Sequence, residues 1–165
     1  MLILGIDPGT AITGFGLVRE EGTALALVDY GVITTPSDQA LPQRLQAIYQ
    51  GLRGVIGEYQ PEAAAVEELF FSRNVRTALS VGHARGVTLL ALADAGLRVF
   101  EYKPLEIKQA VAGYGGADKQ QVQEMVRMLL NLERVPQPDD AADAVAVAIC
   151  HVHSARMSAL IEDAV

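Results

Sequence analysis

A chain of 165 residues, half of them apolar, is the size of one compact domain and can bury a core without disulfide staples. Its one cysteine, Cys150, excludes an internal disulfide, and no apolar run approaches the roughly 20 residues that cross a bilayer. The net charge of −7 argues against a uniformly polyanion-binding surface.

The opening run Leu2-Ile3-Leu4-Gly5-Ile6 has no basic region ahead of it and reads as a buried strand rather than a signal peptide, so a soluble cytoplasmic protein is expected. Pro8-Gly9-Thr10 breaks the run. Two further strands follow, Gly14 to Arg19 and Ala24 to Thr35, joined by a hairpin at Glu20-Glu21-Gly22-Thr23. The period then changes: Leu41, Leu45, Ile48, Leu52, Val55 and Tyr59 mark an amphipathic helix. Ala63 to Val66 is a short buried strand ending at Glu67. A long helix spans about Arg76 to Ala95 and closes on Gly96, and Leu97 to Tyr102 is a fifth strand. After Pro104 come a short helix, the loop Gly113-Tyr114-Gly115-Gly116, and a helix opened by the capping box of Asp118 and Gln121. The last helix starts near Asp140, and residues 155–165 read as a frayed tail. Three strands, a helix, then strand and helix units give a mixed α/β sheet with helices on its faces, in a single domain over residues 1–165.

Charge is spread unevenly along that order. From Ser72 to Lys119, seven basic residues stand against four acidic, whereas the rest of the chain has six against sixteen. The local excess includes Arg73, Arg76, Lys108 and Lys119, and it permits contact with nucleic acid.

The acidic residues carry the chemistry. Asp7 and Glu67 each end an apolar strand, where open α/β sheets place their sites. Asp140 and Asp143, three apart, share one helix face. Taken singly, each has a plain explanation: a turn residue, a solvated strand end, or charges placed at a helix N-terminus. Four converging carboxylates repel one another unless a cation joins them, and hard ions such as Mg²⁺ take oxygen ligands. Two such ions about 3.5–4 Å apart can activate water and stabilise the leaving oxygen of a phosphodiester. His151 and His153, two apart on a helix, point different ways and make a poor metal pair.

Several segments resemble the RuvC Holliday-junction resolvases. They are Gly5-Ile6-Asp7-Pro8-Gly9-Thr10 with Thr13-Gly14-Phe15-Gly16, then Val66-Glu67-Glu68-Leu69-Phe70, then Gly113 to Val122, and finally Asp140-Ala141-Ala142-Asp143-Ala144. The resemblance implies an RNase H-like fold, with three N-terminal antiparallel strands plus two parallel, and a homodimer. It implies metal-dependent nicking of four-way junction DNA in recombination and repair, with two Mg²⁺ per site, Mn²⁺ as a substitute, and branch-migration proteins as partners. It assigns Asp7, Glu67, Asp140 and Asp143 to catalysis and metal binding. Phe70 goes to the opened junction core, and Lys108 and Lys119 to phosphates or the active site. Arg73 and Arg76 lie just past Phe70, suited to phosphates. Glu68 beside Glu67 and Asp139 beside Asp140 leave a one-residue ambiguity, settled by the flanking matches.

Two other classes compete. Asp-Gly-Thr-type loops also cradle phosphate in actin-like and sugar-kinase ATPases, although a second related domain is needed to enclose the nucleotide. A non-catalytic or RNA-processing relative of the same fold is the other; the intact acidic quartet disfavours a dead enzyme.

Overall fold

The N-terminal apolar run forms the middle of the sheet. The structure is a computed structural model, and it describes residues 1–68 and 75–162. Strand β1 (Leu2–Asp7) is flanked by β2 (Ile12–Glu21) on one side and β4 (Ala63–Glu67) on the other; β3 (Ala24–Thr34) and β5 (Arg98–Tyr102) form the edges. The β1–β2 and β2–β3 pairs are antiparallel, and the β1–β4 and β4–β5 pairs are parallel. This is the mixed five-stranded sheet expected from the sequence. Strands β2 and β3 run on to a tight turn where Gly22 takes a φ of 61°.

Alternation along the strands divides the core in two. Ile3, Val18, Ala63 and Ala65 face a layer made by α3 (Pro104–Ala112), α4 (Lys119–Leu129) and α5 (Asp139–Glu162). Leu4, Ile6, Leu17, Ala64 and Val66 face the opposite layer, built from α1 (Leu41–Tyr59) and α2 (Val75–Asp94). Coverage on both faces explains why β1 reads as an unbroken apolar run rather than an alternating one.

Helix α5 lies across the middle of the sheet, and the strands beneath it carry glycine. A Cβ at Gly5 would overlap the Ala144 carbonyl oxygen, and one at Gly14 would overlap that of Asp140. The helix matches this with small residues, since Ala141, Ala144 and Ala148 are buried. It also runs on past Ser154, where the sequence suggests fraying. The Arg156 guanidinium accounts for this: Nε donates to Glu20 Oε1 at 2.6 Å, and the two terminal nitrogens donate to the Gly22 and Thr23 carbonyls at 3.0 and 3.2 Å. Among the described residues, no helix is long and apolar enough to cross a membrane.

The cap on α4 forms as the sequence indicates. Gln121 N donates to Asp118 Oδ1 at 2.8 Å, and Asp118 N donates to Gln121 Oε1 at 2.9 Å. That cap fixes the start of α4 and therefore the position of Lys119, its first residue.

Candidate active site

Because β1 and β4 are parallel and Ile6 pairs with Val66, Asp7 and Glu67 emerge side by side at the carboxyl ends of neighbouring strands. On the other side Asp7 pairs with Gly14. Gly14 has no side chain, so the Asp140 carbonyl rests directly on β2 and the first turn of α5 comes down beside Asp7. Asp143 follows one turn later. The sheet, not the local sequence, brings all four carboxylates together.

Their electrostatics record that crowding. The Asp7 carboxyl is pushed up to about 8, first by burial and then by the charges of Glu67, Asp143 and Asp140. Glu67 is raised by burial and by Asp143, against the opposing pull of a hydrogen bond from Asp7 and the charges of Lys119 and Lys108. One proton, held by Asp7 and shared with Glu67, satisfies both statements. Burial also raises Asp143, while Lys119 draws it back down.

Lys119 is the cation inside the cluster. Its Nζ lies 3.1 Å from Asp143 Oδ2 and 3.4 Å from Asp139 Oδ2. Partial burial works against its charge, but Asp143 and Asp139 together outweigh that and hold its pKa above the ordinary lysine value. Glu67, Asp143, Lys108 and Lys119 line one cleft of about 190 Å³, floored by Ile107, Val122 and Ala146. Behind the turn after Asp7, a second hollow of about 430 Å³ is lined by Gly9, Thr10, Arg76, Ser80 and Asp140. The structure thus brings Asp7, Glu67, Asp140, Asp143, Lys108 and Lys119 to one end of the sheet, with Arg76 at its margin. Phe70 and Arg73 lie outside the described residues. His151 and His153 are elsewhere: Tyr102 Oη lies 2.8 Å from His151 Nδ1, and His153 Nδ1 is 2.8 Å from the Ala110 carbonyl.

The residues suit a hard divalent ion. The donor set is all carboxylate oxygen, and a carboxyl pushed up to about 8 within it shows an acidic cluster short of positive charge. Among the described residues no three acidic side chains stand in a ligating arrangement. Asp7 and Glu67 are occupied with each other and Asp143 with Lys119. Binding an ion therefore requires the shared proton to leave and Lys119 to yield Asp143.

Three contributors escaped the sequence reading. Gly14 sets the approach of Asp140, and its spacing from Gly16 was the available signal, because residues two apart on a strand share a face. Thr13 braces the turn after Asp7, its Oγ1 donating to the Gly9 carbonyl at 2.7 Å. Asp139 is the second partner of Lys119.

Known proteins are similar to this chain over nearly its whole length. The family model described as crossover junction endodeoxyribonuclease RuvC matches residues 3–151. A RuvC of Chloroflexus aggregans is 63% identical over 155 residues, 94% of each chain. A RuvC of Roseiflexus sp. is 60% identical over 160 residues, covering 97% of this chain and 95% of its own. Among solved structures, T. thermophilus RuvC in complex with a Holliday junction substrate superposes with a TM-score of 0.91 at 40% identity, covering 96% of both chains. A yeast mitochondrial Holliday junction resolvase, at 14% identity and a TM-score of 0.60 over 92% of this chain and 78% of its own, shares the fold. With the family model spanning nearly the whole chain and relatives this similar, the chain belongs to the RuvC family of crossover junction endodeoxyribonucleases.

Proposed function

We propose that this chain is a divalent-metal-dependent endodeoxyribonuclease that resolves four-way (Holliday) junctions by nicking two opposed strands, in DNA recombination and repair. The observation that carries the reading is the half-buried carboxylate cluster at the ends of β1 and β4, with the Asp7 carboxyl held up to about 8. Mg²⁺, for which Mn²⁺ can substitute, held as two ions by Asp7, Glu67, Asp140 and Asp143, would neutralise the cluster and activate water for phosphodiester hydrolysis.

The chain's own residues divide the remaining work. Asp7 and Glu67 release their shared proton, which leaves both carboxylates free to ligate. Lys119 yields Asp143 and stays in the cleft on Asp139, within reach of a phosphate. Lys108, which lines the same cleft, meets the same backbone. Burial of the cleft floor keeps these charges strong. Phe70 serves as the wedge in the opened junction, with Arg73 and Arg76 on neighbouring phosphates.

Two opposed nicks call for two equivalent sites, so the working form is a homodimer. Its interface is the outer side of α2, where Val75, Leu79 and Leu90 are 71%, 60% and 55% exposed and, among the described residues, nothing beyond the helix itself lies within 4 Å of a Cβ at Gly82 or Gly86. The enzyme acts in the cytoplasm, with branch-migration proteins delivering junctions to it.

The test is to incubate the purified protein and Mg²⁺ with a labelled four-way junction, a linear duplex, a structured RNA and ATP. Paired, symmetrically placed nicks in the junction alone are expected. Preference for RNA, for plain duplex or for ATP would replace this reading with one of its competitors. Light scattering across a dilution series checks the dimer, and a stable monomer that resolves junctions at full rate would remove it.

A further inference from the structure

The turn that follows Asp7 is gripped from two sides by hydroxyls, those of buried Thr35 and half-buried Ser80. On one side Thr35 Oγ1 donates to the Thr10 carbonyl at 2.5 Å, and Thr35 N donates to the Ala11 carbonyl at 3.0 Å. Arg44 Nε in turn donates to Thr35 Oγ1 at 2.8 Å, which ties this side to α1. On the other side Thr10 Oγ1 donates to the Ser80 carbonyl at 2.5 Å and accepts from Ser80 Oγ at 2.9 Å. Thr10 and Thr35 are both buried, each 6% exposed.

Ser80 occupies a distinctive part of α2. The residues this helix buries, Ala84, Thr88, Ala91 and Leu92, all lie towards its C-terminal end. From Val75 to His83 it buries none. The half that reaches towards the site is therefore not held by core packing, and Ser80 is a point where it meets the turn after Asp7. That half also holds Arg76, which lines the hollow beside Asp140, and exposed Val75 and Leu79.

We infer that Thr10 and Ser80 form a latch that fixes the N-terminal half of α2 to the turn carrying Asp7, making Thr10 a positioning residue for Asp7. A paired hydroxyl at a buried site is a stiff joint, because leaving either partner unmatched costs its desolvation. The latch joins α2 to the turn after Asp7, and Asp7 in turn neighbours Glu67 through the pairing of β1 with β4. The second subunit proposed on the outer half of α2 is thereby joined to the placement of Asp7. The inference rests on the nuclease reading for its functional consequence, but the latch itself does not.

The experiment compares Thr10→Val, Thr10→Ser, Ser80→Ala and the Thr10→Val/Ser80→Ala double variant. Three quantities are read: the single-turnover nicking rate at saturating junction, the junction Kd, and amide exchange along α2. Thr10→Val keeps the shape and removes the hydroxyl. It is expected to slow nicking by roughly ten- to a hundredfold, the scale of a small misplacement of a reacting group, with Kd within about twofold. Thr10→Ser restores the rate to within about threefold, and Ser80→Ala falls between, because the Ser80 carbonyl still accepts from Thr10. The double variant matches Thr10→Val, since both changes break one joint. Amides near Ser80 exchange faster in Thr10→Val, while those around Ala91 do not change. Wild-type exchange in Thr10→Val, equal slowing by Thr10→Ser, or a loss of junction affinity as large as the loss of rate would each overturn the latch. A wild-type protein that never cuts junctions would instead remove the nuclease reading, and the exchange data would still decide the latch.

Discussion

On one face of the sheet, α5 lies on strands that leave it no side-chain clearance; on the other, α2 leaves half its length without a buried residue. The contrast matches what each face holds. The α5 face sets the spacing of Asp7, Asp140 and Asp143, and carboxylates crowded this closely act together only if their separation is fixed. The α2 face presents apolar and basic residues outward, the surface proposed for a second subunit and for phosphates. Closeness of packing thus follows the proposed chemistry on one side and the proposed recognition on the other.

The largest effect should come from the α5 side. Asp7→Asn, Glu67→Gln, Asp140→Asn and Asp143→Asn are each expected to abolish nicking while leaving junction binding intact or slightly tighter, since each lowers negative charge near phosphate. Gel-shift and cleavage assays on the four proteins measure both halves. Normal nicking by Asp7→Asn would end the active-site assignment and with it the distinction between the faces.

A pair of glycine substitutions probes the packing difference directly. Gly14→Ala drives a Cβ into the Asp140 carbonyl, a backbone atom that cannot swing aside. Overpacking of this kind costs about 1–3 kcal/mol, and each kcal/mol lowers Tm by about 2–4 °C in a chain of this size. Nicking below the melting range should fall further than stability does, because Asp140 itself is displaced. Gly54→Ala, on the outer side of α1 with open space around it, should gain about 0.5–1 kcal/mol from helix propensity and leave nicking unchanged. Equal Tm shifts for the two would show that α5 does not press on Gly14.

Much of this was legible in the residues themselves. The unbroken run Leu2 to Ile6 announced a strand covered on both faces, the Asp118 and Gln121 pair announced the start of α4, and the acidic quartet stood out by position and spacing. Contacts between distant residues were not legible. Arg156 reaches Glu20 across 136 positions and Thr10 reaches Ser80 across 70, and neither partner has a pattern of its own to signal the other. The role of Gly14 needed the path of α5, and the engagement of Lys119 with Asp139 needed α4 and α5 side by side.

Proton linkage should distinguish the crowded end of α5 from its middle. The folded pKa of Asp7, about 8, lies above its ordinary 3.8, so its contribution to stability is full below 3.8 and is lost as pH rises through about 8. Glu67 and Asp143 shift in the same direction. In the middle of the helix, buried His151 is lowered from 6.5 by burial and by Arg98, so its contribution is present at higher pH and is lost as pH falls. Metal-free protein should therefore lose Tm as pH rises from mildly acidic towards about 8. Asp7→Asn should flatten that decline, and Mg²⁺ should reverse it by binding the native state. Melting curves in chelator and in Mg²⁺ measure all three; a decline unchanged by Asp7→Asn would place the buried charge elsewhere.

The smallest effect concerns Asp139, adjacent to Asp140 in sequence but turned about 100° from it around the helix. Its side chain is 55% exposed, accepts from Gln123 Nε2 at 3.2 Å and faces Lys119 at 3.4 Å, whereas Asp140 acts on the half-buried Asp7. An exposed pair of this kind contributes under about 1 kcal/mol, so Asp139→Asn should move Tm by no more than about 4 °C. Its effect on nicking should be indirect. Without Asp139, Lys119 rests on Asp143 alone, and an ion must displace it with no second carboxylate to receive it. The Mg²⁺ concentration at half-maximal rate should rise a few-fold, while the rate at saturating Mg²⁺ stays near wild type. The same shift should be absent when Lys119 is already Met, because no ammonium then needs a second resting place. Metal titrations of the single and double variants decide the matter. If Asp139→Asn abolishes nicking at every Mg²⁺ concentration and Asp140→Asn does not, the assignment of the two neighbouring acids is reversed.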